Sequence, residues 1–196
     1  MTELSKPAYV VLGMIATGRR SGYAMSRTAK EATRHFWAMS DGQIYPQLKS
    51  LSEEGYIDGE RETQGGRERV VYSLTAKGRD ALDDWLNSGE RAHYELRDEG
   101  LLRLFFAEEL SVDQLRGQIE TMRRRHRRAI EHLEDLRPKA GDMACAHLTL
   151  RYGLDLHAFS IGWYDRLDAQ LAERPPDERA GDALRAIDPA GAHTLA

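Results

Sequence analysis

The sequence has little of what marks secreted, membrane-bound or disulfide-stabilised proteins. A single cysteine, Cys145, excludes a disulfide framework within the 196-residue chain and fits a reducing cytoplasm. The longest nearly apolar run, residues 9–16, has 8 residues. A helix that spans a bilayer needs roughly 20, and no secretion signal precedes the run. We therefore expect a cytoplasmic protein without a membrane segment.

A general excess of positive charge is also missing. The net charge is −4, and residues 1–88 hold 12 basic and 12 acidic side chains, against 16 and 20 in residues 89–196. Phosphate-binding domains usually carry an obvious basic excess, so composition alone does not indicate nucleic-acid binding. One local cluster does, because five basic residues and one acidic residue lie between Thr17 and Trp37. The same cluster is also consistent with an ordinary solvated surface.

Residue patterns that carry catalysis or bind metals do not occur. Cys145 and His147 are two residues apart in a predicted helix, which points their side chains about 200° apart and excludes a nucleophile–base pair. His147, Arg151 and Asp155 share one helix face, but two potential ligands do not make a metal site. No glycine loop of the phosphate-binding type is present. We predict that the protein is not an enzyme and uses neither cofactor nor metal.

The first 88 residues change from helical to strand periodicity. Apolar spacing predicts helices over residues 4–16, over residues 22–35, and from Asp41, the expected N-cap, to Gly55. Alternating apolar residues then predict two strands joined by a glycine turn at residues 63–66, and a fourth helix follows. Three helices and such a hairpin form a winged helix-turn-helix, whose third helix enters the major groove of DNA.

The second half has helical periodicity alone. A short apolar helix lies within residues 95–111, and a last long helix over residues 143–171 is too apolar around its circumference to lie on a surface. Between them runs a heptad pattern, which is typical of a coiled coil. Its eight positions alternate in spacing between three and four: Val112, Leu115, Ile119, Met122, His126, Ala129, Leu133 and Leu136.

Three stretches of the first half, VVLGMIATGRRSGYAMS, DGQIYPQLKSLSEEGYI and GGRERVVYSLTAKGR, closely resemble the conserved blocks of the PadR family of transcriptional regulators. The stretch DEGLLRLFFAEELS resembles the start of the helical C-terminal region in the longer PadR subfamily. The resemblance extends over residues 4–172. The matching residues are Gly22-Tyr23, Gly42, Tyr45-Pro46, Leu48, Leu51, Gly55, Tyr72, Leu74-Thr75 and Lys77-Gly78.

The resemblance implies a homodimeric DNA-binding repressor that responds to a small molecule, often an aromatic one. Together with the periodicity it predicts a mainly α fold: a winged helix-turn-helix domain over residues 1–88, an α-helical dimerisation domain over residues 92–172, and a flexible tail over residues 173–196. A two-fold dimer predicts a pseudo-palindromic operator in double-stranded DNA, with half-sites roughly 10 bp apart.

Side-chain chemistry assigns DNA-binding roles in the third helix. Gln43 can bind adenine through two hydrogen bonds, Lys49 can reach guanine or phosphate, and Ser50 can contact base or phosphate. Tyr23 and Tyr45 have hydroxyls suited to phosphate, as the family motif implies. A core role is the alternative for either tyrosine.

The wing supplies the remaining predicted DNA contacts. Gly66 at its tip permits close backbone approach, and Arg67 and Arg69 supply positive charge. Two glutamates, Glu62 and Glu68, weaken this basic patch, so we expect modest affinity.

Pro46 is unusual because it falls where the third helix should already be established. A proline there removes a hydrogen bond to the carbonyl four residues back, which belongs to Gly42. We interpret Pro46 and Gly42 as fixing the angle at which Gln43 and Tyr45 are presented. The alternative is a proline that tightens the turn before the helix.

Two further features of the second half have competing interpretations. The run RRRHRR at residues 123–128 is either a second nucleic-acid site or, in our preferred interpretation, a face that pairs with nearby acids. His126 within it occupies a seam position, where titration could couple pH to dimer assembly. The alternative, which we prefer, is a partly exposed histidine that forms a hydrogen bond. Trp163, Phe159 and Tyr152 could stack on a planar effector, or could belong to the core.

Two other protein classes stay open. A winged-helix module that binds another protein would show binding that ignores salt. A regulator of the MarR-like kind shares the wing and the dimer, although the Tyr45-Pro46 block disfavours it.

Overall fold

The computed structural model describes residues 4–33, 36–64, 67–89, 96–141 and 143–187. The chain divides into two compact units, Met1–Ala92 and His93–Ala196. The domain limits predicted at residues 88 and 92 stay predictions, since residues 90–95 lie outside the described part. Within the described ranges, no helix combines the length and the hydropathy that crossing a bilayer requires.

The first unit has the predicted helix, helix, helix, strand, strand, helix order. The two strands pair antiparallel, with Ile57 opposite Leu74 and Gln64 opposite Arg67. This confirms the predicted winged helix-turn-helix. Its elements are α1 (Lys6–Ala16), α2 (Gly22–Glu31), α3 (Asp41–Glu53), β1 (Ile57–Gln64), β2 (Arg67–Leu74) and α4 (Ala76–Asn87).

Helix α1 forms the centre of this unit because it is apolar at nearly every position. Its Val11 and Leu12 are fully buried, and the ring of Tyr9 stacks on Trp85 of α4 with centroids 5.0 Å apart. Ser5 caps the start of α1, and Gly18 follows its end with φ +88°. These contacts place α3 and the wing around one core.

Helix α4 is joined tightly to the turn before β1. Lys77 donates to the carbonyl of Glu54 at 2.7 Å and lies over the Tyr56 ring, 3.9 Å from its centroid. Thr75 caps α4 and donates to the Gly55 carbonyl at 2.9 Å. The motif residues Leu74-Thr75 and Lys77-Gly78 therefore have a structural role, which is to hold the base of the wing.

The second unit is entirely helical apart from one isolated β-bridge between Ser111 and Arg179 in its described part. Two long helices pack against each other along their length, and two short ones cover one end. The helices are α5 (Glu99–Phe105), α6 (Val112–Leu136), α7 (Ala144–Leu171) and α8 (Ala180–Ile187), with 3₁₀ turns at Ala107–Glu109 and Arg137–Ala140.

The heptad seam of α6 is buried within the chain. Val112, Leu115 and Ile119 pack in one cluster with Tyr164 of α7, and Leu133 packs in a second cluster with Leu150 of α7. The prediction that His126 sits in a dimer seam was therefore wrong. The physical reason is that α7 folds back after the turn at Arg137–Ala140 and covers the apolar stripe itself.

The prediction of a flexible tail over residues 173–196 was wrong for the part the structure describes. Ala180 and Ala183 of α8 are fully buried. The backbone N–H groups of Val112 and Asp113, which begin α6 and have no partner within that helix, donate to the carbonyls of Glu178 and Pro176. Residues 188–196 lie outside the described residues.

The RRRHRR run forms ion pairs, as our preferred interpretation predicted. Arg123 and Arg127 both pair with Glu120, and Arg125 lies 3.7 Å from Asp98. Further partners come from α7, because Arg123 also binds Asp165 and Asp168. The run therefore stabilises the two-helix packing.

His126 forms an unusual pair inside this unit. Its Nδ1 lies 2.9 Å from Nδ1 of His157, and its ring centroid is 5.8 Å from that of Tyr164. A hydrogen bond between two Nδ1 atoms requires one donor and one acceptor, so at least one ring is neutral. Burial lowers the pKa of His126; the charge of Arg125 lowers it further, and Asp98 opposes the shift.

We expect the second unit to lose stability as the pH falls below about 6.5, the ordinary pKa of histidine. Below that value the unfolded chain binds a proton at His126 that the folded chain does not, so acid favours unfolding. The slope is at most about 1.4 kcal/mol per pH unit for one proton. Urea unfolding followed by circular dichroism between pH 8 and pH 5 measures it. His126→Phe, which retains a ring beside Tyr164, should flatten the dependence; an unchanged slope would contradict this assignment.

Candidate nucleic-acid interface

Helix α3 has one buried and one exposed face. Ile44, Leu48 and Leu51 are at most 2% exposed, as predicted, and they hold the helix against α1. Gln43 and Lys49 lie on the solvent side. An exposed polar helix face is the geometry that reading a DNA groove requires.

The N-terminus of α3 differs from the prediction. Ser40, not Asp41, is the N-cap. The carboxylate of Asp41 instead accepts hydrogen bonds from Ser26 at 2.5 Å and from Lys30 at 2.8 Å, so it joins α3 to α2. The hydrogen bonds from Lys30 and then Ser26 lower the pKa of Asp41. The signal for Ser40 was present in the sequence, because Ser40 and Gln43 have capping-box spacing.

The side chain of Gln43 completes that capping box. Its Oε1 accepts from the backbone N–H of Ser40 at 3.0 Å and from the Ser40 hydroxyl at 3.2 Å. The predicted two-bond contact with adenine needs this oxygen as an acceptor. The expectation for Gln43 therefore conflicts with the geometry of the free protein, although the side chain is exposed as predicted.

Pro46 lies inside α3, so the alternative in which it tightens the turn before the helix is wrong. Proline has no N–H, which deprives the Gly42 carbonyl of its usual helical donor. A Cβ added at Gly42 would meet only the Ser40 hydroxyl, at an ordinary 3.7 Å. Packing within the chain therefore does not require glycine there. That Pro46 and Gly42 set the presentation of Gln43 and Tyr45 stays a prediction.

Tyr45 and Tyr23 are surface residues. Tyr45 is 53% exposed and Tyr23 is 75% exposed, which makes the alternative core role wrong for both. The ring of Tyr45 lies on the first turn of α2, because a Cβ added at Gly22 would be 2.6 Å from its Cε1. Gly22 thus makes the space in which the Tyr45 ring rests.

Lys49 and Ser50 differ in how free they are. The side chain of Lys49 is 76% exposed, with Nζ only loosely placed 3.8 Å from Glu53. Ser50 donates its hydroxyl hydrogen to Glu54 at 2.6 Å, so only its acceptor lone pairs are available. Lys49 is therefore the more available of the two for a phosphate or a guanine.

Much of the basic cluster between residues 17 and 37 is engaged within the chain. Arg27 pairs with Glu31 on α2, and Lys30 pairs with Asp41. The guanidinium of Arg20 donates to the carbonyl of Tyr72 at 2.9 Å, and the backbone carbonyl of Arg20 accepts from the Tyr72 N–H at 2.7 Å, so Arg20 anchors the wing. Arg34 of this cluster lies outside the described residues.

The wing carries the third group of predicted contacts. Arg69 pairs with Glu62 directly across the two strands at 2.9 Å, which reduces the charge it offers. Gly66 lies outside the described residues, and for Arg67 the structure gives its strand position alone. Sequence reasoning missed Arg61, an exposed cation for which the described part of the chain shows no ion pair. Its place in β1, where it pairs with Val70 of β2, could have indicated that it belongs to the wing.

The predicted effector residues lie on α7. Tyr152 and Phe159 are more than half exposed, and Trp163 is partly buried beside the first core cluster of the second unit. None of the three lines the cavity of about 350 Å³ beside α5. That cavity is bounded by Glu99, Leu102, Arg103, Phe106, Ala107, Leu110 and Gln118.

A winged helix-turn-helix with an exposed third helix, joined to an all-helical unit, defines a class of DNA-binding regulators. Residues 11–84 match the model of the transcriptional regulator PadR-like family, and residues 96–172 match that of the virulence activator alpha C-terminal region. The chain therefore contains a domain of the PadR-like transcriptional regulator family, as the sequence motifs predicted.

Known proteins agree with this assignment. The negative transcriptional regulator PadR of Bacillus subtilis is 36% identical over 104 residues, which are 53% of this chain and 57% of that protein. The chain thus aligns with just over half the length of this curated relative.

Two solved structures of Bacillus subtilis PadR share the fold. The complex with operator DNA has a TM-score of 0.75 and 27% identity, and the match covers 84% of this chain and 98% of that one. The complex with p-coumaric acid has a TM-score of 0.69 and 24% identity over the same shares of the two chains.

Proposed function

We propose that this protein is a homodimeric repressor that binds a specific operator through α3 and releases it when a small, planar effector binds. The observation that carries the proposal is the exposed polar face of α3 opposite a buried apolar face. The relative solved with operator DNA shares this fold over 84% of the chain. Tyr23, Gln43, Tyr45 and Lys49 are the proposed contacts from the helices, and Arg69 is the one from the wing with a described side chain.

The homodimer is supported by an apolar stripe on α7 that the described part of the chain leaves exposed. Leu148, Tyr152, Leu156 and Phe159 are between 37% and 66% exposed, and their spacing of 4, 4 and 3 puts them on one face. This face is opposite the one that packs on α6. A second copy of the chain would bury the stripe against its own, which is how a two-fold interface is built.

Support for an effector comes from a relative and from the aromatic residues on α7. The relative bound to p-coumaric acid establishes that ligand for that protein alone. In this chain, Trp163 lies next to the stripe on α7 by spacing, so a planar molecule could stack among Tyr152, Phe159 and Trp163 at a dimer boundary. A ligand at that place would change both dimer geometry and the spacing of the two α3 helices.

Fluorescence anisotropy with the protein's own upstream promoter tests the DNA-binding proposal. We expect binding to the promoter and not to a scrambled duplex, with affinity falling steeply as salt rises. Lys49→Ala should reduce the slope of log affinity against log salt by about one. Lys139→Ala, an exposed lysine of the second unit, is the matched control. No binding to either duplex at low salt would favour the protein-interaction module instead, whereas equal weak binding to both would mean that the operator lies elsewhere or that a ligand already holds the protein off.

Sedimentation analysis tests the homodimer. Phe159→Glu places a charge in the centre of the α7 stripe, and we expect it to convert the dimer to monomers. Arg151→Glu changes an exposed residue on a neighbouring face of the same helix and should leave the dimer intact. A monomeric wild-type protein, or a Phe159→Glu variant that stays dimeric, would remove the stripe as the interface.

A further inference from the structure

The orientation of one carboxamide restricts what α3 can recognise. A backbone N–H can only donate, so the 3.0 Å contact between the Ser40 nitrogen and Gln43 requires the amide oxygen of Gln43 on that side. The Ser40 hydroxyl, 3.2 Å away, approaches the same oxygen. The NH₂ group of Gln43 therefore points away from the helix start, and the side chain is exposed.

Nothing else among the described residues uses that NH₂ group. The nearest acid along the chain, Asp41, is engaged by Ser26 and Lys30. Its carboxylate is thus held toward α2. An ordinary glutamine presents one donor group and one acceptor, whereas Gln43 presents donor hydrogens alone.

Adenine, guanine and cytosine respond differently to a pure donor in the major groove. Adenine places an acceptor, N7, beside a donor, N6, so its paired contact with glutamine needs the amide oxygen as well. Guanine places two acceptors, N7 and O6, side by side. Cytosine presents a donor, N4. A donor-only side chain is best matched by guanine and worst matched by cytosine.

We propose that Gln43 specifies guanine at one position of each half-site, as a donor held in place by Ser40. This inference rests on the proposed DNA-binding function and assigns its specificity. The amide oxygen of Gln43 has two lone pairs, and the Ser40 N–H and the Ser40 hydroxyl occupy both, so recognition of adenine would require Gln43 to give up one of these two contacts. Contact with guanine leaves the capping box intact.

Selection from randomised duplexes, followed by sequencing, measures base preference for three proteins. Wild type should enrich guanine at one position of each half-site, by about tenfold over adenine for a contact of ordinary strength. Gln43→Ala identifies that position, because the base that Gln43 contacts is the only one at which this variant should lose its preference. Gln43→Glu is the decisive variant, since glutamate fills the same capping-box place but has no donor. It should change the preference from guanine to cytosine, whose N4 donates to a carboxylate.

Comparison within one selection separates this effect from changes in overall affinity. The negative charge of Gln43→Glu weakens binding to every duplex alike, whereas the proposal concerns the ratio between bases at one position. Thermal unfolding of the variant should match wild type, which shows that the capping box persists. Adenine at the Gln43-dependent position would overturn the proposal. So would a guanine preference that survives in Gln43→Ala. No enrichment by wild type would instead refute the DNA-binding function itself.

Discussion

Gly78→Ala is expected to lower the free energy of unfolding of the first unit by about 3 kcal/mol, the upper part of the usual range for overpacking. A Cβ at this position would lie 2.0 Å from the carbonyl oxygen of Tyr56. The obstacle is backbone, which cannot rotate away like a side chain. The same oxygen accepts the N–H and the hydroxyl of Thr75, each at 3.1 Å. Any shift that relieves the clash therefore weakens the cap of α4.

Gly13→Ala is the matched control in the same unit. Its Cβ would meet nothing within 4 Å, and alanine is favoured over glycine inside a helix by about 1 kcal/mol. Denaturant unfolding of both variants should therefore give changes of opposite sign. A Gly78→Ala protein as stable as wild type would show that α4 is not held against Tyr56 in the way described.

Part of the family motif therefore stabilises the fold. Lys77 and Gly78 match the PadR blocks in sequence, and in the structure they fix α4 to the end of α3. Tyr45 and Tyr23 match the same blocks but are exposed. A sequence match cannot separate these two roles, because a residue that stabilises the fold and a residue that contacts DNA match a motif equally well. Burial and contact distances separate them.

Periodicity predicted the helices and the wing because their apolar residues repeat with a clear period. It also found the buried seam of α6, with Ile119 and Leu133 in place. It could not say which surface covers that seam, since a second copy and the following helix bury it equally well. The structure shows that α7 covers the seam of α6. The exposed stripe on α7 is therefore the candidate dimer surface instead.

The last described helix was missed for a different reason. Residues 173–187 have few large apolar side chains, so neither composition nor periodicity indicates a packed segment. What places them is mostly backbone: the carbonyls of Pro176 and Glu178 complete the first turn of α6, and small Ala180 and Ala183 allow close approach. Backbone hydrogen bonds of this kind leave almost no signal in side-chain pattern.

At the candidate interface the sequence predicted which residues face outward, but not which hydrogen bonds their side chains already form within the chain. Asp41 and Ser40 are adjacent and both are good N-caps. The choice between them depends on Lys30 and Ser26, which approach Asp41 from α2. Those contacts are long-range, and they also free Ser40 to hold Gln43.

The second large effect is expected at Asp168, where replacement by alanine should destabilise the second unit by about 3 kcal/mol. The carboxylate of Asp168 is 16% exposed and accepts from Arg116 at 2.7 Å and from Arg123 at 3.1 Å. Arg123 is equally buried. Asp168→Ala removes two charge-assisted hydrogen bonds at once, because Arg116 loses the carboxylate it binds and Arg123 keeps only Glu120 and Asp165 of its described partners. Asp155→Ala is the matched control on α7, since that carboxylate is 74% exposed and lies 3.8 Å from Arg151.

The pH dependence of unfolding distinguishes loss of this ion pair from loss of packing. The hydrogen bond from Arg116 lowers the pKa of Asp168 below its ordinary value of 3.8. A lowered pKa in the folded state means that the stabilisation is complete above that ordinary value and is lost as the pH falls through the lowered one. The free energies of unfolding of wild type and Asp168→Ala should therefore differ most near neutral pH and converge in acid. The control should run parallel to wild type at every pH. A constant gap between wild type and Asp168→Ala would show that the aspartate contributes through shape rather than charge.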